Sequence, residues 1–195
     1  PATPGMAIRP DSGGPPSKMT TGTLIFTVIR RSDQFALRVK DSEAAARKNF
    51  HPLNWFEANQ EYVVQAHWTP YLPPKKISVP TVINTKFDAI CPGAADFTIQ
   101  GKSLKLEPVI EEGQPERLFF ILRDTTSADQ SYDAGRFLYT PLPSHGLDQP
   151  GELWLDFNHL ENPPCAYTPY ATCPLPPPQN KLAIALPVGE QRYAK

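Results

Sequence analysis

The stretch richest in chemically capable residues runs from Asp156 to Asn180, DFNHLENPPCAYTPYATCPLPPPQN, and holds seven of the 24 prolines and two of the three cysteines. Cys165 and Cys173 stand eight positions apart, and a loop that turns back brings such a pair within the roughly 7 Å between Cα atoms that a disulfide requires. Closing so small a ring contributes about 2–3 kcal/mol through chain entropy. Their separation and the stiffness of the loop predict a disulfide between Cys165 and Cys173, with a pair of reduced structural thiols as the alternative. A metal centre lacks a second close Cys or His pair, because His159 is the only histidine nearby and His145 sits on another loop. No metal and no other cofactor is expected. A Cys165 nucleophile served by His159 matches no known spacing and would have Cys173 as a competing partner. Cys91, in DAICPGA, is expected to be a buried or unpaired thiol.

Two further sets of residues have chemistry to offer. Ser144-His145 in PLPSHGLD lacks the Gly-x-Ser-x-Gly elbow of a hydrolase and reads as a turn. Tyr132, Tyr167, Tyr170, Trp55, Trp68 and Trp154 suit a carbohydrate platform, and equally the core of a β protein.

These residues must be positioned by strands. From Thr23 onward short β-type runs recur: TLIFTVIRR, QFALRV, EYVVQAHW, KKISVPTVIN, ADFTIQG, SLKLEPVI, RLFFILRD, GRFLYTPL, GELWLDFN and KLAIALPV, with Gly, Pro, Asn or Asp at most joins. Several alternate apolar and polar residues, as in Ser103-Leu104-Lys105-Leu106-Glu107, so one face is buried and the other wetted. The first two runs read as a hairpin turning at Ser32-Asp33. Only DSEAAARKNF has helix propensity, with Asp41 or Ser42 as its cap. The pattern predicts an all-β fold, a single-domain antiparallel β sandwich or open barrel from about Thr23 to Val188, with one short helix and a long proline-rich loop. Residues 1–22, rich in Pro, Gly, Ser and Thr, read as a tail before a single domain over 23–195.

Composition narrows the function. Acidic and basic residues nearly cancel, 20 against 19, so the chain has no broad positive field for nucleic acid. No apolar run approaches the roughly 20 residues that cross a bilayer as a helix. Proline, at 24 of 195 residues, is more than twice the usual ~5% and belongs in tails, loops and strand ends. The start at Pro1 together with the cysteines suggests a secreted chain, extracellular or periplasmic.

The run DFNHLENPPCAYTPYATCPLPPPQNKL, with RDTTSADQSYDAGRFL upstream and LPVGEQ downstream, resembles domain-of-unknown-function family 1684, and the resemblance extends over about residues 23–195. FALRVKDSEA, with Arg38, Lys40 and Asp41, is similar to that family's earlier Arg-x-x-Asp element. The chain departs from the family in lacking its Gly-Trp-Leu-containing front motif, and in carrying His159-Leu160-Glu161 where members have Arg or Lys, Ala and an aromatic residue.

The ionisable residues that match the family's motifs are Arg38, Asp41, Asp124, Arg136, Asp156 and Glu190. Two carboxylates and an arginine converging in a cleft can do acid/base work or grip an anionic ligand. The plainer expectation is that Arg38 or Arg136 pairs with Asp124 or Asp156 to lock strands to the long loop, with Asn158, Asn162 and Asn180 capping loop carbonyls. The resemblance implies a ligand site at Arg38, Asp41, Asp124, Arg136, Asn158 and Tyr167, with Asp156 and Glu190 as the candidate catalytic carboxylates. Without a strong catalytic signature, the expected role is a binding or accessory protein, a subunit that meets a protein partner or a second copy through the tail and the 156–180 loop. The alternative is a hydrolase of a sugar or ester using Asp156 or Glu190 beside Arg38 or Arg136.

Overall fold

The computed structural model describes residue 5, residues 7–31 and residues 33–193. Residues 1–4 and 6 of the expected tail, Ser32 of the expected turn, and residues 194 and 195 lie outside the described residues. The chain forms two compact units, Pro1–Pro52 and Leu53–Lys195.

The first unit is an antiparallel meander of β1 (Lys18–Thr21), β2 (Leu24–Arg31) and β3 (Gln34–Asp41). Part of the predicted tail is therefore strand. Its register sets Met19 against Phe26, Phe26 against Val39 and Val28 against Leu37, so these apolar side chains share one face. The stretch before β1 closes one edge of β2: the Asp11 N–H donates to Val28 O at 3.1 Å, and Arg30 N donates to Asp11 Oδ1 at 2.9 Å. A single helical turn, α1 (Ala45–Lys48), follows. It starts at Ala44 with no side-chain cap. The expected caps do not operate, because Asp41 Oδ1 instead accepts from Glu43 N at 2.9 Å and closes a tighter turn ahead of the helix. Among the described residues of this unit none is buried.

The second unit contains β4 (Val63–Pro80), β5 (Lys86–Ile99), β6 (Lys102–Leu106), β7 (Arg117–Leu122), β8 (Arg136–Pro141) and β9 (Gly151–Asp156). A four-stranded antiparallel sheet has the order β6-β5-β4-β9, and β7 and β8 form a separate hairpin. The long β4–β5 pair shifts register between Pro70 and Lys75, where consecutive prolines withdraw N–H donors from the ladder.

That irregularity separates two cores. Before it, Ala66, Trp68, Ala95 and Phe97 pack with Leu153 and Leu155 of β9, with Leu118, Phe120, Leu122 and Leu138 of the hairpin, and with Leu182, Ile184 and Leu186 near the C-terminus. Beyond it, Val79 and Ala89 pack with Phe119, Ile121 and Phe137 on the hairpin's other face, together with Cys165 and Cys173. The hairpin thus has apolar side chains on both faces, which is why RLFFIL is a continuous apolar run rather than an alternating one. The all-β expectation with one short α-helix holds, as stacked antiparallel layers.

Candidate functional site

Asp124 follows β7 and Arg136 opens β8, and the turn between them brings the two together. Arg136 Nη2 donates to Asp124 Oδ2 at 2.9 Å. Asp124 Oδ1 also accepts from Thr126 N at 2.8 Å, Thr126 Oγ1 at 2.6 Å and Leu186 N at 3.1 Å. Arg136 further donates to three carbonyls of the C-terminal segment: Leu186 O at 2.8 Å, Glu190 O at 3.1 Å and Val188 O. Burial pulls the Arg136 pKa down while the Asp124 charge opposes that shift. Of the two expected partners for Arg136 the structure selects Asp124, and the pair fastens the last segment to the hairpin.

Glu190 lies at the end of that segment and is buried. Its Oε2 accepts from Asn162 N at 2.5 Å and from the Tyr167 hydroxyl at 2.7 Å, while Asn162 Nδ2 donates to Gln191 O at 2.8 Å. Burial, then the hydrogen bond to Glu190, push the Tyr167 phenol up. Glu161 beside this cluster is also pushed up, by burial first and by the Glu190 charge second, with Arg117 opposing. Gly189 has φ +77°, and a Cβ there would meet Leu160 O at 2.5 Å. Only glycine lets the segment approach this closely.

Asp156 and Asn158 form another cluster. Asp156 Oδ1 accepts from Asn158 N at 3.0 Å and Asn158 Nδ2 at 2.8 Å, and its Oδ2 lies 3.1 Å from His159 Nδ1. Asn158 in turn clasps Asn59, accepting from its N–H at 2.8 Å and donating to its carbonyl at 3.1 Å. The segment before β4 is tied in this way to the one after β9. Asn180 does similar work, accepting from Glu107 N at 2.9 Å and donating to Glu107 O at 2.8 Å and Ile121 O at 3.1 Å. Arg38 and Asp41 belong to β3 of the first unit, where Arg38 is exposed and the Glu43 N–H holds the Asp41 pKa down.

The expected disulfide is corrected. Cys165 and Cys173 are both thiols. The loop does bring them together, since Cys165 N donates to Cys173 Sγ at 3.2 Å, but the side chains interact by hydrogen bonding. The bond to Cys165 and then burial push the Cys173 thiol up. Tyr132 is pushed up by burial and by its own bond to Cys165. Cys91 is a wholly buried thiol, raised to about 11 mainly by burial.

Of the aromatic candidates, Trp68 is core, while Trp55 and Trp154 are exposed. Sequence patterns missed a cluster at the register shift. There Tyr71 donates to Glu107 Oε1, Lys75 Nζ lies 3.5 Å from the centroid of the Tyr71 ring, and Lys75 lies 3.6 Å from Glu107. Glu107 is far from Tyr71 in sequence, and no motif links the two. Two surface depressions, of about 350 Å³ around Asp96, Ser103 and Lys105 and about 430 Å³ around Arg9, Pro15 and Ser17, contain none of the expected site residues. Among the described residues no group of His, Cys, Asp and Glu is arranged to hold a metal ion.

A stacked antiparallel β unit closed by a buried Asp–Arg pair and a glutamate-bound C-terminal segment is the class this geometry defines. The chain belongs to the family described as protein of unknown function DUF1684, whose model matches residues 48–191. The match is narrower than the expected 23–195, and leaves Arg38, Lys40 and Asp41 outside it. An uncharacterised protein of Haloarcula marismortui, solved by solution NMR, is 31% identical with a TM-score of 0.60, over 74% of this chain and 78% of its own. No curated protein matches.

Proposed function

We propose that the chain is a binding or accessory subunit whose contacts run through the three-stranded sheet of the first unit. The observation that carries this reading is the exposure of Phe35, Leu37 and Val39, at 64%, 54% and 50%, along one face of β3. Small sheets gain stability by covering an apolar face, and no described residue of this unit is buried.

The contact elements therefore differ from those expected from sequence. The tail is engaged at Asp11 by its own β2. The 156–180 loop is largely interior, with Phe157, Leu160, Cys165 and Cys173 in the cores and Tyr170 exposed. The hydrolase alternative has less support, because Glu190 is 4% exposed and Arg136 is committed to Asp124, while the more accessible Asp156 is engaged by Asn158 and His159. The binding reading is therefore preferred.

The test is affinity purification from the source cells with the wild-type chain and with a Phe35→Asp, Leu37→Asp double variant. The variant is expected to lose a stoichiometric partner while near-UV circular dichroism from Trp55, Trp68 and Trp154, all in the second unit, stays unchanged. The same co-purifying chains with both proteins would reject the reading.

A further inference from the structure

The first unit has two edges, and they are treated differently. On one side β2 is covered by β1 and, beyond it, by Asp11. On the other, β3 is the last strand of its sheet, and every residue from Gln34 to Lys40 is exposed. An edge strand is a template for another strand unless bulges, prolines or charged side chains, lysine above all, blunt it; on β3 the charged Arg38 and Lys40 alternate onto the face opposite Phe35, Leu37 and Val39. β3 pairs with β2 without a register shift and contains no proline.

We propose, on the strength of the accessory reading above, that the partner of β3 is β3 of a second copy of this chain, paired antiparallel about a two-fold axis at Leu37. A two-fold makes the contact self-complementary and closed. Three features of β3 fix the register. Phe35, Leu37 and Val39 share one face, so only registers that keep them on the same face of the joined sheet are compatible. With Leu37 opposite Leu37 of the second copy, Phe35 faces the other Val39, and the apolar stripe runs unbroken across the junction. In the same register Arg38 stands opposite Ala36 and Lys40 opposite Gln34. A shift of one step that sets Arg38 against Arg38 would oppose like charges and place Phe35 against Asp41, which is unfavourable on both counts.

The experiment uses the full chain. Sedimentation velocity is expected to show a dimer below about 100 μM. Leu37→Cys should give a covalent dimer under mild oxidation, because identical residues on the axis are neighbours, and Gln34→Cys should give none. The native thiols Cys91, Cys165 and Cys173 are buried and stay silent. Leu37→Lys, at an already exposed position, should weaken the dimer by about tenfold or more. A monomer throughout that range, or a dimer that Leu37→Cys does not trap and Leu37→Lys does not weaken, overturns the proposal. A monomer that still captures a different chain through β3 sinks the dimer and keeps the accessory reading, and a monomer with no partner sinks both.

Discussion

Arg136 and Asp124 meet at 2.9 Å with both side chains 1% exposed, and the same arginine holds three carbonyls of the C-terminal segment. Removing one partner leaves a buried charge without its counter-ion, which costs about 3–5 kcal/mol. Arg136→Met is expected to lower stability by that amount, and to expose the segment around Leu186 to limited proteolysis before global unfolding. Chemical denaturation with mass-mapped proteolysis checks both. A variant as stable as the wild type would mean that the pair is not the fastening.

Gly189→Ala should destabilise through two independent effects. The left-handed φ of +77° disfavours any side chain, and the new Cβ would meet Leu160 O at 2.5 Å and Leu160 Cβ at 2.7 Å. Strain of this kind costs of order 1–3 kcal/mol. Gly113→Ala, also at positive φ but with nothing within 4 Å of its Cβ, should cost less. The difference between the two denaturation midpoints isolates the steric part.

The three thiols should be silent in the folded protein. Burial raises Cys91 to about 11, and the contact with Cys165 raises Cys173 further, so thiolate is scarce at neutral pH. A thiol reagent at pH 8 is expected to modify none before denaturation and all three after it, without added reductant. Recovery of only one reactive thiol in denaturant would show that Cys165 and Cys173 are bonded after all.

Glu161 gives a pH dependence whose sign follows from its raised pKa. A carboxylate with a folded pKa above the ordinary value, about 4.3, binds more protons folded than unfolded in the window between the two. Stability from this group therefore falls as pH rises through that window. Glu161→Gln should be more stable than the wild type at pH 7, and the advantage should vanish below the ordinary Glu range. Urea midpoints at both pH values decide it, and an advantage that persists in acid would point to packing rather than charge.

The strand pattern was legible where a strand buries one face, as Ser103-Leu104-Lys105-Leu106 does. The RLFFIL run also betrayed a strand, but not that both its faces are covered, since a continuous apolar run does not say what lies on each side. The long loop was located correctly and its chemistry misjudged. Spacing indicates that Cys165 and Cys173 approach, but bonding also depends on how the thiols are oriented and on Tyr132, which reaches Cys165 from outside the loop. The Asp124–Arg136 pairing was one of several listed on chemical grounds, and choosing among them required the turn that follows β7. Glu107 with Tyr71 had no sequence signal, because a register shift between Pro70 and Lys75 created the cluster.

The C-terminal segment returns to where the second unit begins: Phe56 N donates to Gly189 O and Gln191 N to Asn54 O, both at 2.9 Å. The second unit thus starts and finishes at one place on its own surface. A body with adjoining ends can be spliced into a host's surface loop, or cut elsewhere and rejoined, with little loop-closure entropy. For this unit the order in which the chain is read is nearly separable from the shape it makes, and a circular permutant linked from Gln191 to Asn54 should retain that shape.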